Sequence, residues 1–580
     1  MTDILTVRAL VVTVETNSRA PTLGPGRREN GLMGKAAADL IATGWNLLSE
    51  GDWRAARDVF TETLEEEEMP EALEGLSWAA WWMDDADAVF SARERAYLLY
   101  RQQREPAGAA RMATWRAADE LDFRGGTAVA SGWLQRARRL LETVEPGPEH
   151  GWLAFHEGFV VLHSGESRRA AELGREAAEA GRRYGVPDLE MLGLALEGSI
   201  LVSEAQIDEG MRYLDEATAT AMAGEATIPI SGAWACCFLV GSCIAVFDYE
   251  RAFEWCDRIA EFADRYGSRY MLAFCRAEYG EVYLWRGRWD DAERVLEASI
   301  EDFSRSRPAM VTAPLVRLAE LRRRQARVEE ANSLLDRAGT SMSAQVCRAR
   351  LALDGSQPRR AVDLAERLLR QMAPEAKLER VPVLQVLIRA HVASGEPAEA
   401  RRALTTLREI EAMVGTDPLR AATDLGEGLI EAAGGDHERA RVLLEDAVDR
   451  FERIEAPFEA AQARIELASS LAALGNTELA EREVGIASTV LLDLGAVAES
   501  DRAQKLLRPG VRGVPDSEVT SRERDVLELL AEGLTNRQIA ERLEVSEHTV
   551  HRHVTNILRK LDLPSRAAAA AYAVRAGLLD

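Results

Sequence analysis

The stretch Ala440–Phe451 reads ARVLLEDAVDRF and has the spacing of an amphipathic helix. Four of its apolar residues recur at helical intervals and predict its buried face: Val442, Leu443, Ala447 and Phe451. A second stretch, Ala461–Leu474, is rich in Ala and Leu and stops at Gly475, a residue suited to the left-handed end of a helix. This part of the chain therefore predicts α-helices joined by tight turns.

The same layout recurs along the chain, with a turn residue followed five positions later by a small residue. The regular pairs are Gly165/Ala170, Ala205/Gly210, Phe247/Ala252, Gly287/Ala292, Ala326/Ala331, Ser356/Ala361, Gly395/Ala400, Gly435/Ala440 and Gly475/Ala480. Successive turns lie 40, 42, 40, 39, 30, 39, 40 and 40 residues apart, and Gly51/Ala56 and Gly132/Ala137 are less regular earlier copies. A period of this size predicts a solenoid of antiparallel helical hairpins, about a dozen in number, each packed on the next.

Length and composition set limits on the protein. A chain of 580 residues is too long for one core, so at least two folding units are expected. The net charge of -25 excludes a generally basic nucleic-acid coat, so that any DNA contact must come from a local patch. The six cysteines include no CxxC pair and indicate a reducing cytoplasm.

One uncharged stretch, Ala226–Phe247, is long enough to span a bilayer. It contains Pro229, Gly232 and Gly241 and lies in the repeat register, which favours a buried repeat helix. We therefore expect no membrane association.

The sequence predicts four segments. Residues 1–33 are expected to be a flexible N-terminal tail, and residues 34–507 the repeat array. Residues 508–517 carry two prolines and two glycines and are expected to be a linker. Residues 518–580 are then a small C-terminal domain.

Helix-capping patterns divide the C-terminal segment into four helices. Thr520–Glu523 and Thr535–Gln538 are two capping boxes, each opening a helix. Ser546 is expected to cap a third, longer helix, Glu547–Leu561, and Ser565 a fourth that ends near Gly577. The short turn between the second and third helices has the geometry of a helix-turn-helix.

The third of these helices has two different faces. Val550, Val554, Ile557 and Leu561 recur at helical spacing and are expected to point into the small core. A second face carries hydrogen-bonding side chains: His548, His551, Arg552, Thr555 and Arg559. From Ser546 to Arg575 there are five Arg or Lys against two Asp or Glu, a local basic patch in an acidic protein. A helix of this kind fits the DNA major groove.

Two resemblances follow from these residues. The repeats resemble tetratricopeptide repeats in layout over about residues 34–507, with a period near 40 in place of 34. Thr520–Leu579 resembles the LuxR-type helix-turn-helix domain nearly end to end. The matching positions are Thr520, Arg522, Glu523, Leu527, Leu530, Gly533, Ile539, Ala540, Leu543, Ser546, Thr549, Val550, His553, Val554, Asn556, Ile557, Lys560 and Leu561.

The LuxR resemblance implies a set of DNA contacts. Base edges would be touched by His551, Arg552 and Thr555. Phosphates would be bound by Thr535, Thr549, His553, Asn556 and Lys560, and Val550 and Arg559 complete the predicted DNA-binding set. The chain departs from the family at His551, where lysine is usual, and at Asp562, where glycine is usual. The resemblance further implies a homodimer formed through the fourth helix.

The fold class predicted is thus all α, a tetratricopeptide-like solenoid followed by a four-helix LuxR-type domain. We expect a DNA-binding transcriptional regulator, with activation favoured over repression and RNA polymerase as a further candidate partner. No enzyme, cofactor or metal motif stands out; Glu29–Ala36 (ENGLMGKA) lacks the first glycine and the Ser/Thr of a phosphate-binding loop. The alternative is a protein-interaction adaptor in which the terminal module is vestigial or a docking surface.

The repeat array is expected to bind a protein or small-molecule effector on its concave surface. All twelve tryptophans lie in the first half of the chain. The simpler interpretation is that they fill gaps between helices. The alternative is an effector site formed by Trp81, Trp82, Asp84 and Asp85.

Overall fold

The computed structural model describes residues 35–163, 166–266, 269–507, 521–543, 545–560, 563 and 565–575. All regular secondary structure in these ranges is helical. The predicted tail 1–33 and the predicted linker 508–517 lie outside the described residues, so both stay predictions. The chain divides into two compact units at Thr423/Asp424, with Arg324–Arg327 belonging to the second unit.

The first unit is a succession of antiparallel helices, most of which pack on the next helix in chain order. They are α1 (Lys35–Glu50), α2 (Trp53–Glu66), α3 (Pro70–Trp82), α4 (Ala86–Gln102), α5 (Pro106–Asp119), α6 (Thr127–Leu141), α7 (Pro148–His163), α8 (Ser167–Tyr184), α9 (Pro187–Ser203), α10 (Ile207–Met222), α11 (Pro229–Ala245), α12 (Tyr249–Tyr266), α13 (Arg269–Trp285), α14 (Trp289–Ser306), α15 (Thr312–Arg324), α16 (Val328–Ala338), α17 (Met342–Asp354), α18 (Pro358–Gln371), α19 (Lys377–Ala393) and α20 (Pro397–Val414). A π-helical turn, Glu120–Arg124, follows α5, and a 3-10 turn, Pro308–Met310, follows α14. The helix α21 (Asp417–Ala433) spans the division between the units.

The second unit continues the hairpins and ends in four shorter helices. The hairpin helices are α22 (His437–Arg453), α23 (Pro457–Ala473), α24 (Thr477–Asp493) and α25 (Val497–Leu507). The C-terminal helices are α26 (Ser521–Ala531), α27 (Asn536–Arg542), α28 (Glu547–Lys560) and α29 (Arg566–Arg575). The fold is therefore all α, a tetratricopeptide-like array followed by a helix-turn-helix, as the sequence predicts.

The repeat register is confirmed by the turns between helices. Except for Gly132, the predicted turn positions that are described have a positive φ: Gly51 (84°), Ala205 (67°), Phe247 (65°), Gly287 (71°), Ala326 (58°), Ser356 (56°), Gly395 (73°), Gly435 (87°) and Gly475 (83°). Gly165 lies outside the described residues. The small residue five positions later is buried in each regular pair. The left-handed turn thus sets where the second helix of each hairpin begins.

The predicted early pair Gly132/Ala137 is wrong. Gly132 lies inside α6, and the left-handed residue of this hairpin is Gly125, with φ of 66°. Ala130, five positions after Gly125, is fully buried and takes the place of the small crossing residue. The repeating pattern gives the wrong register here because the π-helical turn before Gly125 changes the spacing between the two helices of this hairpin.

Small residues at the crossings let neighbouring helices approach closely. A Cβ atom built on Gly193 of α9 would lie 2.4 Å from the backbone nitrogen of Ala178 and 2.5 Å from the carbonyl oxygen of Gly174, both in α8. Such separations are shorter than van der Waals contact, so a larger side chain there would push the two backbones apart. The same holds for Gly210 of the repeat pattern, whose Cβ would lie 2.6 Å from the carbonyl oxygen of Gly198, so helix packing requires glycine at both positions.

The buried face of α22 differs in part from the predicted one. Its buried residues are Ala440, Leu444, Ala447, Val448 and Phe451, whereas Val442 is 49% exposed. The predicted Ala447 and Phe451 are correct, Leu443 is only half-buried, and Val442 is wrong. Helical spacing counted from Ala440 gives the observed face, because Ala440 is the residue that crosses the neighbouring helix.

The uncharged stretch Ala226–Phe247 contains α11 and its flanking turns. Ser231, Ala235 and Leu239 of α11 are buried, and the helix packs against α9, α10, α12 and α13. Among the described residues no helix has the length and apolarity needed to cross a bilayer. The stretch is a repeat helix, as expected from its register.

Candidate nucleic-acid interface

Side-chain caps define where the C-terminal helices begin. Gln538 donates its backbone N–H to Thr535 Oγ1 at 3.4 Å, and the Thr535 backbone N–H donates to Gln538 Oε1 at 2.8 Å. This reciprocal pair is the predicted capping box of α27. Ser546 Oγ accepts from the backbone N–H of Thr549 at 3.1 Å and so caps α28. The predicted capping residue Thr520 lies outside the described residues.

The four helices enclose a small core of their own. It is formed by Val526, Leu527, Leu529, Leu530, Ile539, Ala540, Val550, Val554, Ile557, Ala569 and Ala573. Val550, Val554 and Ile557 recur at intervals of four and three along α28, so one side of this helix is fixed inward. The predicted inward residue Leu561 lies outside the described residues.

The opposite side of α28 carries polar side chains in contact with solvent. His551, Arg552, Thr555 and Arg559 are exposed, and Thr549, His553 and Asn556 are half-buried along its edges. Thr535, at the N-terminus of α27, is exposed as well. The structure thus brings together the predicted base-contacting residues on one helix face, which we call the outer face of α28. The side chain of His548 is not among those described.

Val550 is the one predicted DNA-binding residue of α28 that the structure places in the core. Its side chain is 0% exposed and packs with Val554 and Ile557. It follows that Val550 supports α28 from within and cannot touch a base edge. Its inclusion in the predicted contact set was wrong, because the helical spacing already assigned it to the inward face.

Lys560 is engaged within the protein. Its Nζ lies 2.7 Å from Glu523 Oε2, and the exposed fractions of the two side chains are 30% and 4%. The ion pair joins the last turn of α28 to the first turn of α26. A phosphate contact by Lys560 stays a prediction, but the structure assigns this lysine a supporting role that the sequence did not indicate.

Two arginines hold the remaining helix ends. Arg522 of α26 donates from Nη2 to the carbonyl oxygen of Leu543 at 2.8 Å, at the end of α27. Arg566 of α29 donates to the carbonyl oxygen of Leu534 and to Asn536 Oδ1, at the start of α27. These contacts fix α27, and with it the turn leading into α28. In the sequence, the only sign of these contacts is an arginine in the first turn of each helix, Arg522 in α26 and Arg566 in α29.

The predicted effector residues are part of the protein interior or its helix caps. Trp81 and Trp82 are 3% and 8% exposed, so neither ring face is open to a ligand. Asp84 forms an ion pair with Arg307 at 2.8 Å. Asp85 Oδ1 accepts from the backbone N–H of Ala88 and caps α4. The structure therefore corrects the alternative of an effector site at these four residues. The two tryptophans pack in the interior, Asp84 forms an ion pair and Asp85 caps a helix.

The candidate metal ligands and the cysteines of the described part of the chain were compared with the requirements of a metal site and of a reactive thiol. No group of three or more His, Cys, Asp or Glu side chains there is placed to hold a metal ion. The six cysteines are free, and burial raises the pKa of the thiols of Cys236, Cys243 and Cys347 to about 12 and that of Cys275 well above its usual value. Such thiols stay protonated at neutral pH.

The family model "Bacterial regulatory proteins, luxR family" matches residues 517–573. The chain is 43% identical over 76 residues to the transcriptional regulatory protein LiaR of Bacillus subtilis, covering 13% of this chain and 36% of LiaR. It is 31% identical over 241 residues to the putative HTH-type transcriptional regulator Rv0890c of Mycobacterium tuberculosis, covering 40% of this chain and 26% of that protein. Among solved structures, the crystal structure of the APC/C hetero-tetramer Cut9-Hcn1 is similar with a TM-score of 0.43 at 12% identity, covering 94% of this chain and 96% of that chain.

The chain thus spans about a third of LiaR and about a quarter of Rv0890c. The second alignment is longer than the family match, so part of it falls in the repeat array. The four helices α26–α29, with side-chain caps at Thr535 and Ser546, their separate core and the family match agree on one assignment. The helices α26–α29, which lie in the segment around residues 517–573 matched by the family model, form a helix-turn-helix domain of the luxR family of bacterial regulatory proteins, and a tetratricopeptide-like array precedes them in this chain.

Proposed function

We propose that this chain is a transcriptional regulator that binds double-stranded DNA by placing α28 in the major groove. The observation that carries the proposal is the polar outer face of α28, exposed on a helix whose other side is held in a core. An α-helix fits the width of the major groove, where arginine and hydroxyl side chains meet base edges. The family match of residues 517–573 and the similarity of the chain to regulators such as LiaR support the same assignment.

The side chains divide by the part of DNA that they would meet. His551, Arg552 and Thr555 lie on the middle of the outer face and would touch bases. Phosphate contacts would come from the edges and ends of the interface, namely Thr535, Thr549, His553, Asn556, Arg559 and Lys560. Contacts with bases would set sequence preference, and contacts with phosphates would set orientation and affinity.

Charge favours a pair of modules on one DNA site. Residues 516–580 contain nine Arg or Lys against eleven Asp or Glu, and the remainder of the chain is strongly acidic. One module thus offers few positive charges to phosphates, and the acidic remainder repels DNA. We infer that two copies bind together through α29, that the repeat array binds an effector or partner protein, and that the outcome is activation through contact with RNA polymerase.

The test is DNA binding by the full-length chain and its Arg552→Ala variant. Binding to labelled genomic fragments, including the region upstream of the protein's own gene, is followed by fluorescence anisotropy between 50 and 200 mM salt, a range over which phosphate contacts have large effects. Arg482→Ala is the matched control, because Arg482 is an exposed arginine of α24 and its loss changes net charge equally.

We expect salt-sensitive binding that R552A weakens by roughly 1–3 kcal/mol for each module. The slope of log affinity against log salt should fall by about one for each module if Arg552 also neutralises a phosphate. R482A should bind as the unmodified chain does. Equal affinities for R552A, R482A and the unmodified chain would show that α28 does not bind DNA in the proposed way.

A further inference from the structure

Arg307 joins two parts of the first unit that lie far apart in sequence. Its side chain is 0% exposed at the end of α14. Nη1 donates to Asp84 Oδ1 at 2.8 Å, across 223 positions, and Nη2 donates to the carbonyl oxygen of Trp81 at 3.2 Å. The guanidinium carbon also lies 3.8 Å from the ring centre of Phe123 and 4.6 Å from that of Trp81.

The backbone around Arg307 meets the same distant segment. The 3-10 turn Pro308–Met310 packs against the π-helical turn Glu120–Arg124. A Cβ atom built on Gly125 would lie 3.4 Å from that of Ala309, so the two segments are in van der Waals contact. We call the contacts of Arg307 and of these two turns the closure contact.

Aromatic side chains fill the space between distant hairpins beside the closure contact. The ring centres of Trp81 and Tyr270 are 5.7 Å apart and join α3 to α13. Those of Trp115 and Trp234 are 6.4 Å apart and join α5 to α11. Burial lowers the pKa of His156, which contacts Trp115, to about 3, as expected of a dry interior.

The closure contact differs in kind from the packing of the array. Each hairpin buries its face on the next one along the chain, and that stacking needs no contact between distant hairpins. Opening the closure contact would therefore leave the hairpins folded. It would expose the aromatic interior and return Arg307 and the C-terminal carbonyls of α3 to water.

We propose that Arg307 is a latch that keeps the first unit closed, and that its release opens the aromatic interior between α3 and α13 without unfolding the hairpins. A ligand or partner that binds the open form better than the closed form would shift the balance between them. The array would then respond to an effector through a change of conformation, not through a groove that is already exposed.

The charges around Arg307 suit such a latch. Asp84, Asp119 and Asp122 face it, and Arg93 and Tyr270 lie against the same acidic groups. Burial raises the pKa of each of the three carboxyl groups, while the positive charge of Arg307 lowers it. Closure thus holds several poorly hydrated carboxyl groups beside Arg307 and Arg93, and the ion pair of Asp84 in the closed form is made by Arg307.

Hydrogen–deuterium exchange of the full-length chain tests the latch, with Arg307→Ala as the variant. Arg305→Ala is the matched control, since Arg305 is two residues away and its side chain is 64% exposed. In R307A we expect about ten- to hundredfold faster exchange at the end of α3 and in residues 307–311, the range for losing a hydrogen-bonded charge. Exchange in α8 and α9 should not change, and R305A should match the unmodified chain.

Tryptophan fluorescence gives a second readout of the same opening, because all twelve tryptophans lie between residues 45 and 289. In R307A the emission maximum should shift to longer wavelength and quenching by acrylamide should increase, while the far-ultraviolet circular dichroism stays helical. Arg307→Lys, which keeps the charge but not the two-pronged geometry, should fall between R307A and the unmodified chain.

Exchange in R307A that equals that of R305A would overturn the proposal. Uniformly faster exchange across all hairpins would overturn it too, since Arg307 would then support the whole fold. If R307A fails to fold, hydrogen–deuterium exchange of the unmodified chain tests the proposal. The end of α3 and residues 307–311 should then exchange together and faster than α8 and α9. Equally slow exchange in both regions would contradict the latch.

Discussion

Replacing Lys560 by alanine should destabilise the C-terminal helices in addition to any effect on DNA contact. The lysine lies 2.7 Å from Glu523, whose side chain is only 4% exposed. Breaking a fully buried ion pair costs about 3–5 kcal/mol and an exposed one about 0–1 kcal/mol. Because Lys560 itself is 30% exposed, we expect a loss between these limits, about 1–3 kcal/mol.

That loss is a large part of the stability of a domain of this size, which by the usual value per residue is roughly 3–8 kcal/mol. Glu523→Gln should cost less than Lys560→Ala, since it leaves no buried charge and the lysine can reach water. Arg559→Ala is the matched control, because Arg559 is the preceding residue of α28 and is exposed.

Hydrogen exchange of the full-length chain measures this effect in peptides from residues 521–575. We expect exchange in α26 and α28 to be fastest in K560A, slower in E523Q, and unchanged in R559A. Equal exchange in K560A and R559A would refute the supporting role of Lys560, and a loss of DNA affinity in K560A would then be assigned to a phosphate contact.

Two further predictions concern the first unit. Burial raises the pKa of Asp122 from 3.8 to about 7, so the folded chain holds this proton more tightly than the unfolded chain does. The stabilisation contributed by protonated Asp122 should therefore be lost as pH rises from about 4 to about 7. In thermal unfolding, the unmodified chain should lose stability relative to its Asp122→Asn variant across that range. Gly193→Ala should destabilise the α8–α9 packing by about 1–3 kcal/mol, because its Cβ would meet backbone atoms. Gly241→Ala, on an exposed part of α11 with open space around it, should stabilise by about 0.4–1 kcal/mol, and urea titration of both variants and the unmodified chain measures the two changes.

The repeat register could be predicted because it depends on local chemistry. A left-handed turn at Ala205, Phe247 or Ser356 is recognisable from the small residue that follows it, even where the turn residue is not glycine. The misassigned Gly132 shows the limit of this approach, since a π-helical turn shifts the spacing. The contacts of Arg307 could not be predicted, because a period describes packing between adjacent hairpins and not between distant ones.

In the C-terminal domain the sequence predicted the helices and the exposed residues but not all of their roles. Caps at Thr535 and Ser546 depend on residues three positions away, so they are visible in the sequence. The partner of Lys560 lies 37 residues away and belongs to another helix. A contact of this kind depends on how α26 packs against α28. The resemblance to the LuxR-type domain implied only a contact between Lys560 and a DNA phosphate.

The central claim, that the outer face of α28 reads bases, is tested most directly by selecting DNA sequences from a random library. The full-length chain, R552A and R482A are each used for selection under the same salt conditions, and the bound sequences are compared. The account predicts that R482A selects the same sequence as the unmodified chain, whereas R552A loses preference at defined positions in each half-site. An unchanged sequence preference in R552A would contradict it.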